Sequence, residues 1–271
     1  MLILIIHLLL YGIKKKPMIS IAERHKFILD SLNKDGFVKV VDMAKSLDVT
    51  SVTIRKDLKY LEEKKLLYRT HGSASPINPL ASDLNVTEKE KIKKDEKKRI
   101  ALAACNLIEE NDSIIIASGS TVYTFAENIQ PIKHLTVVTA SLKVAILLNE
   151  KNDIDILQLG GALRKNSVSV VGEYSNYFFE DITCSKLFLG VDGIDPEFGI
   201  TNSSIEEAQL HKRMMASSLR TIILADSSKF GRRGFGKVCN LDQVDVIITD
   251  SGISDSMARM VEENGIELVI V

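Results

Sequence analysis

The sequence predicts an α/β protein in two domains, a small helical front and a larger back built on a mainly parallel sheet. Three observations predict it. At 271 residues, 45% hydrophobic and 26% charged, the chain is long for one domain and apolar enough to bury a core. Its charge is segregated: net −1 overall, but +3 over residues 18–75, +2 over 76–104 and −9 over 105–271. Beyond residue 112, seven short apolar runs alternate with helical patterns, as in a sheet covered on both faces. A basic front and an acidic back direct any polyanion to the front.

Residues 1–17, MLILIIHLLLYGIKKKP, are expected to be a leader outside the fold. Their apolar run is shorter than the ~20 residues a spanning helix needs. Lys14, Lys15 and Lys16 follow that run, whereas a secretory signal carries its cations before it, and no small-residue cleavage site is present. No stable membrane association is expected. The three cysteines, Cys105, Cys184 and Cys239, are far apart and form no C-x-x-C pair. They indicate neither a zinc site nor a disulfide framework, but reduced thiols in a cytoplasmic protein without metal or cofactor.

The front domain is assigned to residues 18–75. Ala22 to Lys34 places Ile28, Leu29 and Leu32 on one side at helical spacing. Phe37 to Val41 is a short β-branched stretch. Asp42 is placed to cap a short helix through Leu47, and Asp48-Val49-Thr50 connects it to a longer helix striped by Ile54, Leu58 and Leu61. Short helix, three-residue turn and second helix make a helix-turn-helix. Pointing away from the stripe are Ser51, Thr53, Arg55 and Lys56, two hydroxyls and two cations suited to base edges and phosphates. LLYRTHGSA then alternates as a strand and enters a Gly-Ser turn, the pattern of a wing, with Arg69 and His71 placed to reach phosphate. Thr50 at the helix start and Gly72 in the wing turn complete the candidate DNA-binding set. The same pattern also suits a charged surface helix.

Residues 76–96 are assigned to a linker and the start of a connecting helix. Their run EKEKIKKDEKKR is expected to be a solvated helix face, continued as a buried helix by Ile100, Ala101, Ala104, Leu107 and Ile108. The back domain, residues 97–271, carries the apolar runs SIIIA, LTVVTAS, IDILQLGG, SKLFLGV, RTIILAD, VDVIITD and IELVIV. Polar residues gather at their carboxyl ends, where ligands of open parallel sheets bind. Ser118-Gly119-Ser120-Thr121 leads from a strand into a helix and offers backbone N–H groups and hydroxyls to an anion, though it equally suits a tight turn. There is no G-K-[ST], so no nucleotide triphosphate site is indicated. Gly160-Gly161, Asp192-Gly193 with Asp195, Asp226 to Lys229, and Asp250 mark further strand ends. The helix after Gly199 adds Glu207 and Lys212. N–H groups and cations for one end of a ligand, with carboxylates for the other, suit a phosphate carrying a polyol.

VTSVTIRKDL, followed by a leucine-spaced helix and RTHGSA, resembles the winged helix of the DeoR family of bacterial transcriptional regulators over Glu23 to Ala74. Thr50 stands for the family's usual Ser, Ser73 for its second wing glycine, and Lys65 for a helix-ending Gly. The helix is therefore expected to end without a left-handed glycine cap. From about Lys97 to Asp250, SGST, LGGALR, FLGVDGID, EAQLHKRMM and ADSSKFG resemble the same family's sugar-phosphate-sensing domain, which is similar in fold to ribose-5-phosphate isomerase. The resemblance implies that Gly119, Ser120 and Thr121 hold a phosphate, with Asp192, Glu207, Lys212 and Lys229 around the ligand. Ala117 and Ala140 depart from a frequent Asp and Asn, and remove polar groups from the expected pocket rim.

The function so implied is a DNA-binding regulator of transcription, a repressor of a carbohydrate operon controlled by a phosphorylated sugar and working as a homo-oligomer, dimer or tetramer, on double-stranded DNA. The alternative is an aldose–ketose phosphate isomerase with a DNA-binding appendage, in which Asp192, Glu207 and Lys229 supply a base and a stabilising cation.

Overall fold

A computed structural model describes residues 19–35, 37–69, 72–75, 83–130 and 133–271. The leader expected at residues 1–17 lies outside them. The chain forms two compact units that divide between Ile77 and Asn78.

In the first unit, helix α1 (Ile21–Asp35) opens with a reciprocal cap. The Glu23 backbone N–H donates to Ser20 Oγ at 3.2 Å, and the Ser20 N–H donates to Glu23 Oε2 at 2.9 Å. Strand β1 (Val38–Lys39) runs directly into α2 (Val40–Ser46). The expected Asp42 cap is corrected: α2 begins at Val40 from an extended Lys39 with no side-chain cap, and Asp42 lies inside its first turn. Burying Val40 at 3% exposure sets the start of the helix, and Asp42 there favours the positive end of the helix dipole.

Helix α3 (Ser51–Glu63) is capped by Thr50, whose Oγ1 accepts the Thr53 N–H at 3.2 Å. Its stripe of Ile54, Leu58 and Leu61 is fully buried against Ile28, Leu32, Val38 and Ala44. The end of α3 shows what replaces the absent glycine. Lys65 itself adopts the left-handed region at φ 56°. The Lys65 N–H reaches Glu62 O at 2.8 Å and the Leu66 N–H reaches Leu61 O at 2.9 Å, both bonds of a Schellman motif. Strands β2 (Tyr68–Arg69) and β3 (Ser73–Ser75) follow, and β3 pairs antiparallel with both β1 and β2.

The second unit opens with α4 (Val86–Lys89) and α5 (Lys94–Cys105). The charged run is thus not one helix, because Lys93 at φ 54° breaks it. Nor is it wholly solvated, since Lys97 is only 3% exposed. The expected extension through Ile108 also stops at Cys105, although Ile108 still packs into the core.

Seven strands then form one parallel sheet. These are β4 (Ser113–Ile116), β5 (Leu135–Thr139), β6 (Ile154–Gln158), β9 (Lys186–Gly190), β12 (Thr221–Leu224), β14 (Val246–Thr249) and β15 (Glu267–Ile270). Their spatial order is β15-β14-β12-β9-β4-β5-β6. All seven apolar runs supply these strands, and α5, α6 (Ser120–Asn128) and α7 (Leu142–Leu148) pack into their core, with α9 (Ile205–Ala216) and α10 (Asp255–Glu263) further along the chain. The order runs outward from β4 in one direction and from β9 in the other. The point of reversal, between β4 and β9, opens a crevice at their carboxyl ends.

Two smaller sheets were not expected: the hairpin of β7 (Ala162–Arg164) and β8 (Ser169–Val171), and the antiparallel sheet of β10 (Gly193–Asp195), β11 (Gly199–Asn202) and β13 (Gly236–Cys239). A short helix, α8 (Glu173–Tyr177), follows the hairpin. Among the described residues no helix is long and apolar enough to cross a membrane.

Candidate functional site

On α3, Thr50, Arg55 and Lys56 are exposed, and Ser51 and Thr53 are half-buried. The Thr50 and Thr53 hydroxyls lie 3.0 Å apart, so both belong to the helix cap. Arg55 and Lys56 make no ion pair among the described residues, which leaves both cations available to a polyanion. Val52, 58% exposed, stands one turn before them and presents an apolar surface of the kind that meets a thymine methyl. Its only signal in the sequence is a β-branched residue off the stripe.

In the wing, Arg69 is held by Glu62: its backbone N–H donates to Oε1 at 3.0 Å and its Nε to Oε2 at 2.6 Å. Arg69 therefore pins β2 to α3. His71 lies outside the described residues. Gly72 is exposed at φ 90°, and its carbonyl accepts the Val40 N–H at 2.8 Å.

The aspartate of TIRKDL turns inward. Asp57 receives Arg24 Nε at 2.5 Å and Nη2 at 2.9 Å, with His25 Nε2 at 3.2 Å. Burial works against the Asp57 carboxylate, but Arg24 and His25 hold its pKa below the ordinary value. The pair ties α1 to α3.

In the second unit, the crevice between β4 and β9 is lined by Ser118, Gly119, Ser120 and Thr121 from the first and by Gly190, Val191 and Asp192 from the second. Gly119 at φ 130° makes the sharp entry into α6, whose first turn leaves backbone N–H groups facing the crevice without intrahelical partners. Lys229, Glu207 and Asn202 close the other side. Counted to its open mouth, the cleft holds about 490 Å³ of non-protein space, but only about 40 Å³ of it admits the centre of a water-sized sphere.

The charges in this cleft are organised. Asp192 Oδ1 accepts Lys89 Nζ at 2.6 Å, while Oδ2 accepts the Ser203 N–H at 2.9 Å and its hydroxyl at 2.7 Å. Burial alone would raise the Asp192 carboxyl; Lys89 and the Ser203 donors outweigh it and bring the pKa to about 2. Glu207 accepts Ser118 Oγ at 3.2 Å and lies 3.5 Å from Arg164 Nη1. Lys229 makes no ion pair among the described residues. Burial pulls its pKa below the ordinary value against Asp226 and Asp192. Behind the wall, buried His211 shares a 3.2 Å contact between Nδ1 and Asn202 Oδ1, and burial lowers its pKa despite Glu207 and Asp192.

The cleft therefore brings together Ser118, Gly119, Ser120, Thr121, Asp192, Glu207 and Lys229 from the expected set. Lys212 is a correction. Five residues beyond Glu207 on α9, it is rotated about 140° around the helix, is exposed, and lines a separate groove with Cys239 and Asp245. Gly160 and Gly161 are also exposed and do not line the cleft. They belong to the bend into β7, where a Cβ on Gly161 would lie 2.6 Å from Ser175 Oγ. Gly193 lies off the cleft as well; a Cβ there would stand 2.4 Å from the Arg232 carbonyl oxygen, so the residue serves the packing of β10. Ala117 and Ala140 are buried at 0% and 2% exposure, and neither lines the cleft, against the expectation that they form its rim.

Sequence reasoning missed Lys89, Arg164, Asn166 and Asn202, which do line it. Lys89 was hidden in a charged run, and Arg164 in a motif that drew attention to its glycines.

A helix-turn-helix unit followed by an α/β unit with an anion-suited cleft defines a DNA-binding regulator joined to a sensor. Residues 24–79 match the DeoR-like helix-turn-helix domain, and residues 92–251 match the DeoR C terminal sensor domain. The chain belongs to the DeoR family. It is 35% identical to the HTH-type transcriptional regulator YulB of Bacillus subtilis, an uncharacterized protein, over 93% of this chain and 97% of that one. It is 31% identical to a putative aga operon transcriptional repressor of Escherichia coli O157:H7, over 95% and 96% of the two chains. It is 34% identical to a lactose phosphotransferase system repressor of Staphylococcus epidermidis, over 81% and 88%. A ribose 5-phosphate isomerase of Methanocaldococcus jannaschii overlaps 51% of this chain and 55% of its own at a TM-score of 0.38 and 15% identity, too loose an overlap to carry a functional argument.

Proposed function

We propose that this protein is a sequence-specific repressor of a carbohydrate-metabolism operon, controlled by a phosphorylated sugar bound in the cleft between β4 and β9. The observation that carries the proposal is the composition of that cleft. The start of α6 and Lys229, which makes no ion pair among the described residues, suit a phosphate, and Asp192 and Glu207 suit sugar hydroxyls. The names of the aga operon and lactose phosphotransferase system repressors support the carbohydrate assignment. At the other end, Ser51, Val52, Thr53, Arg55 and Lys56 form the surface offered to base edges and phosphates, with Thr50 capping the helix and Arg69 and Gly72 in the wing.

The match of residues 24–79 to a DeoR-like helix-turn-helix domain and the repressor names of the relatives favour a regulator over an isomerase. We accordingly read the protein as a cytoplasmic regulator and not an enzyme, acting as a dimer or tetramer on paired half-sites.

The test is a DNA duplex selected from a random library by the full chain, followed by footprinting with and without ribose, fructose, tagatose and glucosamine phosphates. Protection that one of these sugars changes is expected. Absence of any selected duplex refutes the regulator reading, and turnover of a sugar phosphate in a coupled assay favours the isomerase.

A further inference from the structure

The cleft has a wall that belongs to neither matched domain. Residues 83–91 fall between the helix-turn-helix match, which ends at 79, and the sensor match, which begins at 92. Yet Leu84, Val86 and Lys89 line the cleft. Residues 83–93 form a strap, and most of its fastenings are made to the cleft's own polar groups.

At its first end, Asp83 Oδ2 accepts Arg164 Nη2 at 2.5 Å and Asn166 Nδ2 at 2.9 Å, and Oδ1 accepts Ser203 Oγ at 3.1 Å. In the middle, the Val86 N–H donates to Asn166 O at 2.7 Å and Lys89 Nζ to Asp192 at 2.6 Å. Beyond it, Glu90 pairs with Lys143, and the buried Lys97 ammonium donates to the Lys89 and Ile92 carbonyls at 2.5 and 2.7 Å. Arg164, Asn166 and Asp192 are all lining residues. With the strap seated, Leu84, Val86 and Lys89 stand among the polar groups of the cleft and form one of its walls.

We propose that residues 83–93 are a displaceable lid over the effector cleft, with Lys89 on Asp192 and Asp83 on Arg164 filling the positions a sugar phosphate's charges and hydroxyls would take. This rests on the cleft being the sugar-phosphate site. Ligand and seated strap exclude one another, so each weakens the other by the same factor. The strap joins through residues 76–82 to the wing strand β3. Lifting it changes the tether of the DNA-binding unit, which is how occupancy of the cleft reaches the operator.

The test uses the full chain and the double variant Lys89→Met, Asp83→Asn, which removes two fastenings and keeps the lysine's apolar stem. Hydrogen exchange followed by mass spectrometry should show residues 83–93 opening at least ten-fold more in the variant, with the seven-stranded sheet unchanged. In calorimetric titrations with ribose 5-phosphate, fructose 1-phosphate, tagatose 6-phosphate and glucosamine 6-phosphate, the variant should bind the active sugar several-fold more tightly. Ligand-free variant and ligand-bound wild type should shift affinity for the selected duplex in the same direction. Equal or weaker sugar binding by the variant overturns the lid alone, because Lys89 then acts as a ligand contact. Unchanged exchange over residues 83–93 also overturns it. Failure of every sugar phosphate to bind either protein sinks the sugar-phosphate reading and the lid with it. Unaltered duplex affinity despite an opened strap removes its role in transmission.

Discussion

Asp57 shows how one residue in the second helix of a helix-turn-helix can serve the fold. It accepts two guanidinium bonds from Arg24, and both side chains are nearly buried. Asp57→Ala leaves Arg24 buried and unpartnered, and is expected to destabilise the first unit by about 3–5 kcal/mol. Denaturant titration of that unit measures it. Lys65 offers the opposite case. A lysine in the left-handed region carries a steric cost that glycine does not, so Lys65→Gly is expected to raise stability by about 0.5–1 kcal/mol. Its affinity for DNA should remain unchanged, because the residue closes α3 at the end away from the candidate contacts. Arg55, exposed and without an ion pair among the described residues, tests the proposed contact face. Arg55→Ala should weaken binding to the selected duplex by about 1–3 kcal/mol and relax specificity at one position, as anisotropy titrations would show. Equal loss on all sequences with a shallower salt slope identifies a phosphate contact instead.

At the scale of the element, α5 is stitched to the strap by Lys97. Burial, opposed mainly by Asp226, brings the Lys97 pKa down to about 8, against about 10.4 in an unfolded chain. Between those values the unfolded chain binds a proton that the folded chain does not, so this group makes stability rise with pH across that window. The thiols of half-buried Cys105 and of buried Cys184 and Cys239, pushed by burial to about 11, 11 and 12, act in the opposite sense at their own higher range. The difference between wild type and Lys97→Met isolates the lysine: it should grow in favour of wild type from pH 8 to 10.4, as chemical denaturation at stepped pH would reveal.

The elements also differ in how plainly the sequence announces them. The five inner strands of the parallel sheet were legible because strands buried on both faces must be continuously apolar, as III and LFLG are, whereas the edge strands β6 and β15 are partly exposed. The α3 stripe was legible because three leucine-type residues at helical spacing have one core to face. The hairpin of β7 and β8 was not, since three-residue strands set no period. In the cleft, strand ends gave Ser118 to Thr121 and Asp192, because sheet topology alone sends those ends there. Arg164 and Lys89 come from segments folded across the crevice, and no local pattern encodes that crossing. Lys212 misled because it shares a helix with Glu207 but not a face.

For the molecule as a whole, the division of charge sets how the two units meet a polyanion. The +3 of residues 18–75 stands against −9 over residues 105–271, so the acidic unit is repelled by the same field that draws the basic one. Association with DNA should therefore slow with added salt, and its slope should reflect the small number of cations on α3 and the wing.

The sheet order carries a further consequence, in the timing of synthesis. Strand β9 lies at the centre and arrives only at residues 186–190, after its neighbour β4 and then β5 and β6 have been made. Such a non-local pairing forms slowly and cannot form at all until that length has left the ribosome. The winged helix, complete by residue 75, is by contrast free to fold while the rest is still being translated. A chain interrupted between those points would hold a DNA-binding unit with no cleft to govern it. A fragment ending at residue 180 should accordingly protect only its first unit from proteolysis, and should bind the selected duplex, if weakly, without response to any sugar phosphate.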